Sequence, residues 1–100
     1  MFSVIASRNL RLLDASGRES PVTIEIGAPY PFPDDAGYTC PIRIVGLRED
    51  TIREIGGIDG VQALLLAFRF LETTLPAFAR EEGKRLVWEN DSEDLGLTSP

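Results

Sequence analysis

Hydrophobic and polar residues alternate along several stretches of this chain with the period of two that half-buried β-strands show. Three of these stretches cover residues 4–13, 21–26 and 38–45, and a shorter one covers residues 51–55. Between the first two, residues 14–18 (DASGR) are rich in turn formers. The sequence therefore predicts a β-hairpin followed by two further strands.

A long amphipathic helix is predicted after residue 59. Asp59 is a good N-cap, Gln62 stands three residues later as in a capping box, and Ile58 is placed to form a hydrophobic staple with Ala63. The apolar face predicted at 100° per residue contains Val61, Leu64, Leu65, Phe68, Leu71, Leu75, Phe78 and Ala79. We expect this face to dock on the strands.

The end of the helix and the end of the chain are marked by different signals. Pro76 lacks the amide that would bond to the carbonyl of Glu72, which predicts a kink or a break, and Gly83 is suited to end the helix. Residues 86–88 can add a last strand. The predicted fold is α+β, an antiparallel meander of about four to five strands with one long Pro-kinked helix across one face. We expect residues 1–89 to form a single domain and residues 90–100 to form an acidic, flexible tail.

Two groups of apolar residues remain unassigned by this fold. Residues 27–37 contain three alternating prolines, which predict an ordered loop, and Tyr30 and Phe32 lie between them. Leu66 and Phe70 extend the apolar surface of the helix to a second side that one sheet does not cover. Either the loop folds over Leu66 and Phe70, or these four residues form an interface with a second copy or another protein.

Composition and charge narrow the classes of partner and compartment. Hydrophobic residues make up 43% of the 100-residue chain and charged residues 26%, as in average globular domains. The net charge of −6 repels phosphate backbones and anionic lipids, so we expect no nucleic-acid or membrane partner. The apolar run 61–71 is interrupted by Gln62 and Arg69, and no signal-peptide pattern is visible. One cysteine, Cys40, forms no internal disulfide, which favours the cytoplasm.

The residue types needed for most catalytic chemistry are missing or badly placed. The chain has no histidine, which removes the commonest general base and metal ligand. Cys40 lies on the apolar side of its predicted strand, where burial makes a thiol inert. No metal or cofactor motif is present, and we expect no cofactor. Glu72 falls within the predicted apolar face, so we expect a buried ion pair with an arginine of the sheet, Arg43 or Arg53.

The segments CPIRIVGL and IGGIDGVQALLLAFR resemble a group of short bacterial proteins that form a domain of unknown function. The match covers nearly the whole chain, including PVTIEIGAP in the hairpin. It runs through Cys40, Pro41, Ile42, Ile44, Gly46, Leu47, Asp59, Gln62, Ala63, Leu64, Leu65 and Ala67. The group has no assigned activity. The resemblance therefore implies a bacterial, single-domain, cytoplasmic protein and supplies no catalytic residue.

These observations leave two hypotheses of different classes. The first is a non-enzymatic interaction module, either a homodimer or a partner-binding protein, that uses Leu66, Phe70, Tyr30 and Phe32. The alternative is a small-molecule-binding protein or minor enzyme. Its pocket would lie between the helix, the Pro-rich loop and the sheet, and Glu72 and Arg43 would be its polar groups.

Overall fold

Six strands, one long α-helix and one short 3₁₀-helix are present in the computed structural model, which describes residues 2–34, 36–48 and 50–97. In chain order they are β1 (Val4–Leu13), β2 (Glu19–Gly27), β3 (Tyr30–Pro31), β4 (Tyr38–Val45), β5 (Thr51–Gly57), α1 (Gly60–Glu81), β6 (Arg85–Val87) and the 3₁₀-helix η1 (Glu89–Asp91). Strands β1 and β4 begin and end where the alternation predicts.

All the strands belong to one antiparallel sheet. Across it the order is β5, β4, β2, β1 and β6, and the two-residue strand β3 pairs with the start of β4 on the side where β2 pairs further along. The described residues place no strand beyond β5 or beyond β6. The predicted α+β class is confirmed, with six strands because the Pro-rich loop contributes β3 and the chain after α1 contributes β6.

The turn between β1 and β2 is held by the carboxylate of Asp14. Its Oδ1 accepts hydrogen bonds from the amides of Ser16 and Arg18, both at 2.9 Å, and Gly17 has φ of +85°. A bond from the Ser16 hydroxyl, together with these two, stabilises the ionised carboxylate and lowers the pKa of Asp14. The turn closes the predicted hairpin, in which Leu13 lies opposite Glu19.

The core lies between the sheet and α1, on what we call the inner face of the sheet. Five helix residues at a spacing of four are buried there, namely Ala63, Ala67, Leu71, Leu75 and Ala79. The sheet meets them with the residues Leu10, Leu12, Val22, Ile24, Ile26, Cys40, Ile42 and Ile44. Three of the five helix residues are alanines, so the helix backbone approaches the sheet closely, and the remaining large apolar residues lie on its flanks.

Helix α1 continues through Pro76 to Glu81 without a break, so the proline does not divide it. Its end is a Schellman motif, in which Lys84 N donates to the carbonyl of Ala79 and Gly83 has φ of +69°. The predicted role of Gly83 is thus observed. By length and composition alone α1 also reaches what a membrane span needs, contrary to expectation, but core helices commonly do so as well.

Residues 88–97, the C-terminal segment, return over the inner face beside β1. Leu95 is 5% exposed and belongs to the core, and Trp88 and Leu97 pack against it. The prediction of a flexible tail from residue 90 is therefore wrong as far as residue 97, and residues 98–100 lie outside the described part of the chain. Composition misled here because two leucines and one tryptophan suffice to dock a segment that is otherwise polar.

Candidate functional site

The start of α1 fixes the position of an exposed apolar side chain, Ile58. Asp59 caps the helix by accepting a hydrogen bond from Gln62 N at 2.8 Å. The Gln62 side chain reaches back to the amide of Ile58 at 2.7 Å, one residue before the cap. The backbone is therefore held at both ends of this turn, while the Ile58 side chain is 80% exposed. The predicted hydrophobic staple from Ile58 to Ala63 is wrong.

Exposed apolar side chains concentrate around β5 and the first two turns of α1. Among the described residues seven large hydrophobic side chains are exposed, and five of them lie here. We call these five the β5–α1 surface, and its members are Tyr38, Ile52, Ile58, Val61 and Leu65. An apolar surface that folding leaves in water is typical of a binding interface.

Close backbone contacts hold the two parts of this surface together. A Cβ on Gly57 would lie 2.5 Å from the amide nitrogen of Ala63, so the end of β5 fits directly against the helix only because glycine is there. A Cβ on Gly60 would lie 3.9 Å from the Tyr38 ring. Glycine at these two positions therefore lets the end of β5 and the start of α1 pack closely, whereas Ile52, opposite Arg43, lies on the face of the sheet away from the helix.

The four residues predicted as an interaction surface are divided between the two faces of the sheet. Tyr30 donates its hydroxyl to the Glu54 carboxylate, which raises the pKa of Tyr30, and the Phe32 ring is close to Gly56. Both aromatics lie on the outer face, away from the helix, because Tyr30 pairs with Thr39 and Thr39 alternates with the core residue Cys40. The alternative that the loop covers Leu66 and Phe70 is therefore wrong.

Leu66 and Phe70 lie on one flank of α1 and are half-buried, with Phe70 packed against the core. Phe78 lies two turns beyond Phe70 on the same flank and borders a concavity with Thr51 and Arg53 of β5. This flank of the helix therefore faces the open edge strand. Leu66 and Phe70 therefore lie near the β5–α1 surface, on the inner face of the sheet.

The predicted buried ion pair between Glu72 and Arg43 does not form. Glu72 is exposed, because the buried residues of α1 are four positions apart and residue 72 lies one position beyond Leu71 in that row. Arg43 is on the outer face, where its Nη2 lies 2.5 Å from Glu25, its cross-strand partner between β2 and β4. The other arginine considered, Arg53, is exposed on β5.

Two surface concavities flank β5. The larger, of about 620 Å³, lies at the C-terminal end of α1 and is lined by Arg48, Asp50, Thr51, Arg53, Phe78 and Glu82. The smaller, of about 410 Å³, is on the outer face and is lined by Phe2, Tyr30, Pro41, Ile52, Arg53 and Glu54. The smaller concavity contains the hydrogen-bonded pair Tyr30 and Glu54, and neither set of lining residues includes Glu72. In the described part of the chain the loop lies on the outer face, so it does not enclose the proposed pocket together with the helix.

Two buried polar groups bear on the chemistry. Cys40 is fully buried and its thiol lies 3.5 Å from the Gly27 carbonyl, and burial raises the pKa of Cys40. Thr39 is also fully buried, and its hydroxyl has no hydrogen-bond partner among the described residues. Within those residues no three Asp, Glu or Cys side chains are grouped as metal ligands would be.

Fold and surface thus define a small α+β protein with an apolar edge. The chain belongs to the family described as Domain of unknown function (DUF6968), whose model matches residues 6–99. The expectation of a family with that description is confirmed. No curated protein matches the chain, and no solved structure matches it.

Proposed function

We propose that this protein is a non-enzymatic interaction module that works as a homodimer. The observation that carries the proposal is the β5–α1 surface, where Ile58 and Ile52 are 80% and 58% exposed. Full burial of such a side chain is worth about 1.5–3 kcal/mol. Covering a surface of this kind with a second protein therefore lowers the free energy of the system.

The charge distribution supports a protein partner. The net charge of −6 opposes binding to nucleic acids and to anionic membranes. The excess acids include Glu89, Asp91, Glu93 and Asp94, which follow β6 at the opposite edge of the sheet from β5. This acidic cluster therefore lies away from the apolar edge and adds little repulsion between two copies that meet there. With a single buried cysteine, a reducing cytoplasm is the compartment that we propose.

A second candidate function is the binding of a small amphipathic molecule on the outer face. The concavity of about 410 Å³ there has a size found among ligand pockets, and Phe2, Tyr30 and Pro41 give it apolar walls. Tyr30→Ala would remove one wall, whereas Tyr38→Ala is a matched control outside the concavity. A bound ligand would raise the melting temperature of the wild type and of the control variant but not of Tyr30→Ala.

The homodimer is tested by analytical ultracentrifugation across a range of protein concentrations. We expect the wild type to sediment as a dimer at micromolar concentrations. Ile58→Lys should raise the dimer dissociation constant at least about tenfold, because a twofold dimer loses this apolar contact twice. Ile5→Lys is the matched control, since Ile5 is 55% exposed outside the surface. A wild type that is monomeric at every concentration contradicts the proposal.

A further inference from the structure

We propose that two copies of this chain join by antiparallel pairing of their β5 strands, with Ile55 of one copy opposite Ile55 of the other. The inference rests on the proposed homodimer and specifies which surface forms it. Strand β5 pairs only with β4 in the described part of the chain, so its outer side presents a strand edge. An unpaired edge is a template for another strand.

Symmetry restricts how two β5 strands can pair. A twofold axis that relates antiparallel neighbours is perpendicular to the sheet, so it keeps inner residues on the inner face and outer residues on the outer face. One residue of each strand then lies opposite its own copy on the axis. The registers differ only in which residue that is.

Charge excludes three of these registers, because like charges directly opposite each other destabilise a strand pair. With Arg53 on the axis, two arginines meet, and with Glu54 on the axis, two carboxylates meet. With Ile52 on the axis, Glu54 faces Asp50 of the other copy. Each of these registers places like charges directly opposite each other.

The register with Ile55 on the axis has no such conflict. Glu54 then faces Gly56 and Arg53 faces Gly57, so each charged residue meets a residue without a side chain. At both ends of the pairing Ile52 of one copy approaches Ile58 of the other, and these two side chains are 58% and 80% exposed in the single chain. Shifting the axis to Gly56 would instead set Glu54 against Ile58.

Glu54 is also held by its own chain, since its carboxylate accepts the hydroxyl of Tyr30 on the outer face. The charged residue in the middle of the strand is thus directed toward β3. Edge strands that avoid association usually present free charges instead. The contact with Tyr30 lowers the cost of bringing a second strand alongside.

The helices add to the same interface. The twofold axis leaves both copies of α1 on the inner face, each beside its own β5. The flank that carries Leu66 and Phe70 faces the β5 edge. Phe78 on the same flank indicates this, because it lines a concavity together with Arg53 of β5. In the dimer these two flanks face each other across the joined strands. The half-buried residues predicted from the sequence as an interface are thereby covered by their copies.

Cysteine cross-linking tests the register directly. Ile55→Cys should form a disulfide-linked dimer under mild oxidation if its copies lie opposite each other, whereas Ile52→Cys alone and Ile58→Cys alone should not. A mixture of Ile52→Cys and Ile58→Cys proteins should cross-link to each other. The wild type, with Cys40 buried, is the control for background oxidation. Efficient cross-linking of Ile52→Cys to itself would overturn the proposed register.

Lysine substitutions separate the edge interface from the general proposal of a homodimer. Ile52→Lys should weaken the dimer at least about tenfold, while Val61→Lys, at a residue 78% exposed on the helix, should leave it within about twofold. Both residues are exposed, so folding is expected to survive each change and is checked by circular dichroism. A dimer weakened by Val61→Lys and not by Ile52→Lys overturns the β5 interface but keeps the homodimer. A monomeric wild type overturns both.

Discussion

The guanidinium carbon of Arg8 lies 3.9 Å from the centroid of the Trp88 ring. From that position Nη1 of Arg8 donates to the carbonyls of Leu95 and Gly96, at 2.6 and 3.0 Å. One side chain of β1 thus contacts both ends of the C-terminal segment. The cation–π contact and the two hydrogen bonds hold a segment that has few apolar residues of its own.

Arg8→Ala should lower the free energy of unfolding by about 1–3 kcal/mol, since it removes a cation–π contact and the donors to two partly buried carbonyls. Chemical denaturation measures the change. Arg69→Ala, on the exposed side of α1, is the control and should cost less than about 0.5 kcal/mol. Equal losses in the two variants would show that the segment is not held by Arg8.

Gly96→Ala should destabilise the protein by about 2–4 kcal/mol, the sum of a strained backbone and an overpacked contact. Gly96 has φ of +64°, and a Cβ there would lie 2.4 Å from the Trp88 ring. Gly17→Ala is the matched control, because Gly17 also has positive φ but no atom lies within 4 Å of its Cβ position. The control should lose only about 1–2 kcal/mol, as measured by thermal and chemical denaturation.

A similar loss in the two glycine variants would mean that the backbone at residue 96 moves away from the Trp88 ring without cost. The fluorescence of Trp88, the only tryptophan of the chain, reports this independently. An unchanged emission maximum in Gly96→Ala together with unchanged stability would contradict the packing described here.

Leu71→Ala should cost about 3–5 kcal/mol, because Leu71 is fully buried at the middle of the helix row that faces the sheet. Leu65→Ala is the control on the same helix, where the side chain is 44% exposed, and it should cost less than about 1 kcal/mol. Denaturant titration of both variants decides. A larger loss for Leu65→Ala would restore the helix face predicted from the sequence.

Part of the acid sensitivity of this protein should come from Asp14. The Ser16 hydroxyl and backbone amides of the turn lower the pKa of Asp14, so the folded state holds its proton less tightly than the unfolded state does. The contribution is complete above the unfolded pKa of about 3.9 and disappears as the pH falls through the lower folded value.

Asp14→Asn removes this titration while it keeps an acceptor for the turn. We expect the variant to lose less stability than the wild type between about pH 5 and pH 2. Denaturation midpoints measured across that range give the comparison. Parallel curves for the two proteins would show that Asp14 titrates alike in the folded and unfolded states.

The sequence predicts the elements of this fold well, because each depends on local signals. Alternation places β1 and β4, the turn formers of residues 14–18 place the hairpin, and Asp59 with Gln62 places the start of α1. These signals act between residues a few positions apart. They are therefore readable without knowledge of the rest of the chain.

The face that α1 packs against the sheet is harder to predict from the sequence. Large apolar residues suggest a face containing Val61 and Leu65, whereas the helix turns Ala63 and Ala67 to the sheet and leaves the other two exposed. Small residues at a spacing of four are the signal that could have been used, since they allow close approach. Hydrophobicity scales give alanine little weight, so the hydrophobic pattern of the sequence does not predict the exposed apolar edge.

Long-range contacts account for the other differences. The docking of the C-terminal segment depends on Arg8, and nothing near residue 95 reveals that partner. Likewise, Arg43 forms an ion pair with Glu25 because the register of β2 and β4 places the two residues opposite each other. The sequence alone does not determine that register. Side-chain partners of this kind follow only from the strand order.

The position of β1 between β2 and β6 has a consequence for how the chain is made. Its hairpin with β2 can form early during translation, but the other edge of β1 stays open until residues 85–97 have left the ribosome. Contacts over such separations form slowly, and an open strand edge is exposed to wrong pairing in the interval. The nascent protein is therefore most vulnerable to aggregation just before its last strand emerges.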